Sequence, residues 1–151
     1  MSMSEGWAGR SRRRLPLGVL AWLRLARVFQ KVERRSSEHL REHGLSAAQF
    51  DVLAHVGAAE GITQQELADA LLVTKGNVCQ LLDRMEAAGL IVRRAEGRAN
   101  RLYLTPAGRR LFDAVVPAHE AVIAERFAAL SADEQGRLLA LLRKLDHALA
   151  R

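Results

Sequence analysis

Residues 63–104 decide the fold, and they read TQQELADALLVTKGNVCQLLDRMEAAGLIVRRAEGRANRLYL. Two helices are predicted over residues 63–70 and 74–88, because a threonine cap and helical spacing of apolar residues mark each of them. The second helix has one apolar face, formed by Val78, Leu81, Leu82 and Met85. After Gly89 the apolar spacing becomes alternating, which predicts two short strands over residues 90–94 and 101–104. Helix, turn, helix and β-hairpin are the order of a winged helix-turn-helix.

The second helix also has a polar face, which consists of Gly76, Gln80, Asp83 and Arg84, with Asn77 and Cys79 at its edges. Amide side chains can pair bidentately with adenine and arginine with guanine, and a glycine lets the backbone approach a duplex closely. Lys75 and the helix N-terminus at Thr74 are suited to phosphate. We therefore predict that this helix reads the major groove of DNA. An ordinary solvated helix face is the alternative.

The predicted hairpin is basic, and its connector contains Gly97 and Arg98. Arginine fits a narrow minor groove, so Arg98 is predicted to enter one; a polar loop tip is the alternative. Arginines at the base of the hairpin are predicted to be phosphate contacts or salt-bridge partners, namely Arg93, Arg94 and Arg101. The full set of predicted DNA-binding residues is Thr74, Lys75, Gly76, Asn77, Gln80, Arg84, Arg93, Arg98 and Arg101.

Capping signals predict further helices on both sides of this module. Ser46 with Gln49 and Ser131 with Glu134 form capping boxes, and Thr105 stands before a proline at the first helical position. The predicted flanking helices cover residues 15–42, 47–56, 106–129 and 132–149. The fold class is therefore mainly α with a small β-hairpin wing.

Length and composition limit the class of protein that this chain can be. The chain has 151 residues, 49% of them hydrophobic, which is enough for one domain that folds unaided. Cys79 is the single cysteine, so no disulfide can form within the chain. The apolar runs are too short or too interrupted by arginine to span a bilayer, and no secretory signal follows the basic start. We expect a soluble, cytoplasmic protein with no membrane partner.

The chain has a formal net charge of +6, and its positive charge is concentrated in two segments. Residues 74–110 contain eight basic and three acidic side chains, and residues 1–14 contain four arginines and one glutamate. A basic block within a near-neutral chain is the pattern of a nucleic-acid-binding protein. A solvated basic face is the alternative.

The sequence resembles the multiple antibiotic resistance regulator (MarR) family. The matching stretches are HGLSAAQFDVLAHV (43–56), TQQELADALLVTKGNVCQLLDRMEAAGLIVR (63–93) and GRANRLYLTPAGRRLF (97–112). At the wing the family pattern is Asp, any residue, Arg, and this chain has Glu96, Gly97 and Arg98. The resemblance implies a homodimeric transcriptional regulator, usually a repressor, whose first and last helices interlock.

The domain organisation follows from this resemblance. Residues 1–14 are a basic, flexible arm, 15–45 a dimerisation helix, 46–105 the winged helix-turn-helix, and 106–151 the C-terminal dimerisation helices. Apolar residues of the last two helices exceed what a small DNA-binding head can cover. A twofold dimer predicts a pseudo-palindromic operator in double-stranded DNA.

The resemblance also implies release from DNA by a small aromatic effector. Candidate pocket residues are Trp22, Arg27, Phe29, His39 and Phe50, and the favoured alternative is that the three aromatic residues fill the core. Cys79 could sense oxidants, although a compact apolar role at the groove edge is favoured. His39, His43 and His119 lack a convincing fourth ligand, so we predict no metal site and no cofactor.

Enzyme motifs are not found: the sequence has no glycine-rich phosphate loop, no nucleophile motif and no paired carboxylates outside helix caps. We therefore predict a regulator that is not an enzyme. The alternative is a helical dimeric adaptor that contacts protein instead of DNA, because a fold does not determine a function.

Overall fold

The computed structural model describes residues 13–71 and 75–150 of the chain. They form two compact units, one ending at Glu33 and the other beginning at Arg34, so the boundary lies within the first helix. The predicted arm, residues 1–14, lies outside the described residues except for its last two positions. Thr74 also lies outside them, as do the side chain of Lys75 and the burial of Gly76.

The described residues form six helices and three strands. In chain order these are α1 (Leu17–Glu42), α2 (Ala47–Ala58), β1 (Ile62–Thr63), α3 (Gln64–Leu71), α4 (Lys75–Ala87), β2 (Ile91–Glu96), β3 (Ala99–Leu104), α5 (Pro106–Arg126) and α6 (Ala132–Leu149). The predicted mainly α fold with a small β wing is confirmed. Helix α1 begins at Leu17, two residues later than predicted, because the residue before a proline is disfavoured in a helix and Pro16 follows Leu15.

Three of the predicted helix caps form. Ser46 and Ser131 each make the reciprocal pair of hydrogen bonds of a capping box, with Gln49 and Glu134 respectively. Thr105 accepts a hydrogen bond from the backbone N–H of Gly108 and precedes a proline at the start of α5. These bonds satisfy amide groups that have no partner within the helix, which is why α2, α5 and α6 begin where the sequence indicated.

The cap predicted at Thr63 is only half correct. The Thr63 hydroxyl accepts from the backbone N–H of Glu66 at 3.0 Å, but the Glu66 carboxylate accepts from that same hydroxyl at 2.9 Å instead of from a backbone amide. The reason is that Thr63 belongs to β1, a strand the sequence did not predict. Strand β1 pairs antiparallel with β3, through Ile62 opposite Leu102 and Thr63 opposite Arg101.

The sheet therefore has three strands in the order β1-β3-β2. Strands β2 and β3 pair from Ile91 opposite Leu104 to Glu96 opposite Ala99. This register leaves a two-residue turn, in which Gly97 adopts a φ of 63°. Tight hairpin turns require positive φ, and glycine adopts it without steric strain.

The core lies in the second unit and is formed by α2, α3, α4, the sheet and α5. Val78, Leu82 and Met85 are fully buried, as the spacing in α4 predicted, while Leu81 is only partly buried against the same cluster. Leu67 of α3 and Leu102 of β3 join this cluster. Burial of one α4 face fixes the rotation of the helix, and thereby decides which residues it exposes to solvent.

Helix α6 differs from the other helices of this unit, because none of its residues is buried. Its apolar side chains are exposed instead, among them Leu141, Leu145 and Leu149. No described helix is both long and apolar enough to cross a membrane.

Candidate nucleic-acid interface

Helix α4 exposes the polar face that the sequence predicted. Asn77, Gln80 and Arg84 are all exposed, because the buried face of the helix points into the core. Arg84 makes no ion pair among the described residues, so its guanidinium is available to a ligand. Base contacts by these three residues remain a prediction.

The wing presents Arg98 at its tip. Arg98 is exposed, it lies in the two-residue turn after Glu96, and the described ion pairs do not include it. Arg94 is also exposed, with its guanidinium carbon 5.1 Å from the centre of the Tyr103 ring. Both cations can reach a phosphate without first losing a carboxylate partner.

One guanidinium nitrogen of Arg93 contacts two carboxylates. Its Nη2 lies 2.5 Å from Asp83 Oδ1 and 3.1 Å from Glu86 Oε1, and its backbone N–H donates to Glu86 Oε2 at 3.0 Å. The ion pair ties β2 to α4, so Arg93 positions the wing relative to the recognition helix, as the salt-bridge alternative predicted. A phosphate contact by Arg93 remains a prediction, and Asp83 of the predicted polar face is engaged in this ion pair.

These contacts shift the pKa values of both Glu86 and Arg93. Hydrogen bonds from Arg93 hold the pKa of Glu86 below its ordinary value, and the two carboxylates raise the pKa of Arg93. A carboxylate with a lowered pKa contributes stability above its ordinary pKa, and this contribution is lost as the pH falls. The connection between wing and helix is therefore present at neutral pH.

Arg101 is also held within the protein. Its Nη1 donates to the carbonyl oxygen of Gly61 at 2.8 Å, and its Nε lies 3.4 Å from Glu96 Oε2. The Tyr103 hydroxyl donates to Glu96 Oε1 at 2.9 Å, which raises the pKa of the tyrosine. Arg101 therefore braces the sheet, as the salt-bridge alternative predicted, and a phosphate contact by it remains a prediction.

Replacing Arg93 with alanine is expected to destabilise the fold by about 1 to 2 kcal/mol, because charge-assisted hydrogen bonds are lost at a partly exposed site. Chemical denaturation measures this loss. Arg94→Ala is the matched control on the neighbouring residue, and it is expected to change stability by less than about 0.5 kcal/mol. Equal losses in the two variants would contradict the bracing role of Arg93.

An open cleft of about 340 Å³ lies between α3, α4 and the wing. Its lining includes Gln64, Cys79, Arg98 and Asn100, and the Gln64 amide donates to the sulfur of Cys79 at 2.9 Å. Gln64 and Asn100 were not predicted as site residues. Only the packing of α3 against the wing brings them beside α4, and no sequence period reports such a contact.

The predicted effector residues fall in both units. Trp22, Arg27 and Phe29 belong to the first unit, where Trp22 is 66% and Phe29 64% exposed, so neither aromatic side chain is buried in that unit and the favoured core alternative does not describe them. His39 and Phe50 belong to the second unit, where His39 is buried and Phe50 packs against the core. Their role in effector binding remains a prediction.

The three histidines considered as metal ligands are brought near each other. The ring centres of His39 and His43 are 4.9 Å apart, and those of His39 and His119 are 5.1 Å apart. Among the described residues, no group of three or more histidine, cysteine or acidic side chains has a geometry that could hold a metal ion.

The helix pair α3–α4, the wing and the exposed α4 face define a winged helix-turn-helix protein. A model of the MarR family matches residues 43–101. An uncharacterized HTH-type transcriptional regulator of Bacillus cereus is 34% identical over 130 residues, which are 85% of this chain and 88% of the relative. The chain therefore belongs to the MarR family.

Solved structures support the same assignment. A mutant MarR from Escherichia coli, complexed with operator DNA, has a TM-score of 0.73 and 31% identity, and the match covers 87% of this chain and 94% of that one. A MarR family protein of Mycobacterium tuberculosis in complex with salicylic acid has a TM-score of 0.65 and 30% identity, covering 89% and 99%.

Proposed function

We propose that the protein is a homodimeric, cytoplasmic repressor that binds a pseudo-palindromic operator in double-stranded DNA through α4 and the wing. One observation carries this proposal: Cys79 of α4 and Arg98 of the wing line the same cleft, so the recognition helix and the arginine tip are close together. The similarity to a MarR protein complexed with operator DNA supports it.

The roles of the residues follow from their exposure and charge. Asn77, Gln80 and Arg84 would meet base edges in the major groove, where amides read adenine and arginine reads guanine. Arg98 would enter the adjacent minor groove, where a narrow A·T tract attracts arginine. Arg93 and Arg101 would keep the wing in position.

A second copy of the chain would cover the apolar surface of α6. Leu138, Leu141, Leu142, Leu145 and Leu149 recur at helical spacing along one side of this helix, and none of them is buried. An isolated helix of this length is marginal in water, and an amphipathic helix gains its stability by packing its apolar face. Twofold pairing through such a face would place two recognition helices on one operator.

Titration against DNA tests the proposal. The purified protein is titrated, at two salt concentrations, with duplex from upstream of its own gene and its divergent neighbour, and with shuffled duplex as the control. We expect saturable binding by a dimer that prefers the native duplex and weakens steeply with salt. Weak binding that is indifferent to sequence would instead support an adaptor that contacts protein.

Arg84→Ala is expected to weaken binding to the preferred duplex by about 1 to 3 kcal/mol and to relax base preference, because a bidentate base contact is lost. Arg98→Ala is the comparison, and it is expected to weaken binding more evenly across sequences and to flatten the salt dependence. Competition titrations with single-base operator variants measure both effects. Equal, sequence-independent losses in the two variants would remove Arg84 as a base-reading residue.

A small aromatic effector is the remaining part of the proposal. It is supported by the M. tuberculosis family member in complex with salicylic acid. Salicylate is therefore the first probe, added to the preformed complex of protein and native duplex. Release of the duplex at salicylate concentrations that leave the thermal midpoint of the free protein unchanged or raised would support an effector that acts through binding.

A further inference from the structure

Two histidines form a buried pair in the second unit, away from the candidate DNA-binding face. His39 of α1 is 7% exposed and His119 of α5 is 2% exposed, and these are the two buried polar side chains in the part of the chain that the structure describes. Their Nδ1 atoms lie 2.9 Å apart, which is a hydrogen-bond distance. Neither residue caps a helix or carries a predicted DNA contact.

The surroundings of the pair are polar on one side and aromatic on the other. From α1, the Ser36 hydroxyl lies 3.0 Å from His119 Nε2. From α2, the Phe50 ring packs on His119 with ring centres 4.3 Å apart. The charged or titratable groups that act on His119 are His39 and His43, and no carboxylate is among them. Both of these groups disfavour a positive charge on His119.

The hydrogen bond between the two rings depends on protonation. One ring must donate an N–H and the other must accept it through a lone pair. A neutral pair meets this condition, and so does a pair with one added proton. When both rings are protonated, two N–H donors face each other and two positive charges share a buried site, which is strongly unfavourable.

We propose that His39 and His119 form a proton-operated latch between the C-terminal end of α1 and α5. The latch is closed while at least one imidazole is neutral, and it opens when both imidazoles carry a proton. Because α5 follows directly after the wing strand β3, the latch connects the end of α1 to the helix that continues from the wing.

The direction of the pH effect follows from the same geometry. Burial and the neighbouring histidines lower the pKa of His119. A histidine with a lowered pKa contributes stability above its ordinary pKa of about 6.5, and this contribution is lost as the pH falls through the value in the folded protein. The latch therefore opens on the acid side of neutrality.

Side-chain NMR titration of the full chain without DNA tests the latch. We expect the pKa of His119 to depend on the ring opposite it, because the two rings share one hydrogen bond. His39→Asn places an uncharged polar group near the position of Nδ1, so the pKa of His119 should then rise toward its ordinary value. His147→Gln, on exposed α6, is the control and should leave the titration of His119 unchanged.

Two results would overturn the latch. One is a wild-type His119 that titrates at its ordinary pKa of about 6.5, a readout that stands even where His39→Asn does not fold. The other is a titration that changes when EDTA is added, since a bound metal ion would then hold the rings. An acid-induced loss of operator affinity would follow from the latch only if the proposed function also holds, and the DNA-free titration keeps the two questions separate.

Discussion

Replacing Gly108 with alanine is expected to destabilise the fold by about 3 kcal/mol and to lower the thermal midpoint by roughly 6 to 12 °C. A Cβ atom at this position would collide with the carbonyl oxygen of Leu90, which is backbone and cannot rotate away. That oxygen already accepts from the backbone N–H of Thr105 at 3.0 Å. Helix α5 would have to move away from the start of β2, and the cap at Thr105 would be disturbed with it.

Gly136→Ala in α6 is the matched control for this prediction. Apart from its chain neighbours and the backbone of its own helix, no described atom lies within 4 Å of the Cβ it would gain, so the substitution should stabilise the helix by up to about 1 kcal/mol through helix propensity. Thermal unfolding at one fixed protein concentration measures both variants, because association can shift the midpoint. If Gly108→Ala were as stable as the wild type, the close packing of α5 on Leu90 would be wrong.

Local sequence patterns predicted most of the fold, because helix caps and apolar spacing each involve only a few neighbouring residues. The apolar spacing of α4 identified Val78, Leu82 and Met85 as core, and the caps at Ser46 and Ser131 located two helix starts. Such signals depend on backbone geometry that repeats within one element. They are therefore readable before any tertiary contact is known.

Strand β1 is an element that neighbouring residues in the sequence could not predict. It consists of Ile62 and Thr63 alone, and it exists because β3 offers hydrogen-bonding partners 38 or more residues further along the chain. Two residues are too few for an alternating pattern, and Thr63 carries a stronger local signal as a helix cap. Because Thr63 pairs with Arg101 across the sheet, Thr63 belongs to β1 and α3 begins at Gln64, one residue later than predicted.

Charged and aromatic side chains were predicted least well. A basic residue in a basic segment indicates nucleic acid, yet Arg93 pairs with Asp83 and Glu86, and Arg101 with Glu96. Composition reports the charge but not its partner, which only packing reveals. Similarly, Trp22 and Phe29 are exposed, although the favoured alternative placed them in a core. Helical spacing does not show whether an apolar residue faces a core or a partner subunit, so the sequence could not decide between the two.

Replacing both Leu141 and Leu145 with glutamate is expected to raise the dissociation constant of the dimer by about a thousandfold or more. This prediction rests on the proposed homodimer. The two leucines are 64% and 51% exposed in the single chain, and burying one leucine side chain is worth about 1.5 to 3 kcal/mol. Twofold symmetry doubles the loss, and about 4 kcal/mol already corresponds to three orders of magnitude in a dissociation constant.

Sedimentation equilibrium over a range of concentrations measures the association, and far-UV circular dichroism checks that the helices persist. Ala140→Glu with His147→Glu is the matched control, because it adds two carboxylates to the opposite side of α6. The control should remain a dimer and keep its preference for the native duplex, whereas the leucine variant should become a monomer. A monomer engages one half-site only, so its operator affinity should fall together with its association. A leucine variant that stayed dimeric would show that α6 is not the interface, and the apolar face of the helix would then require another partner.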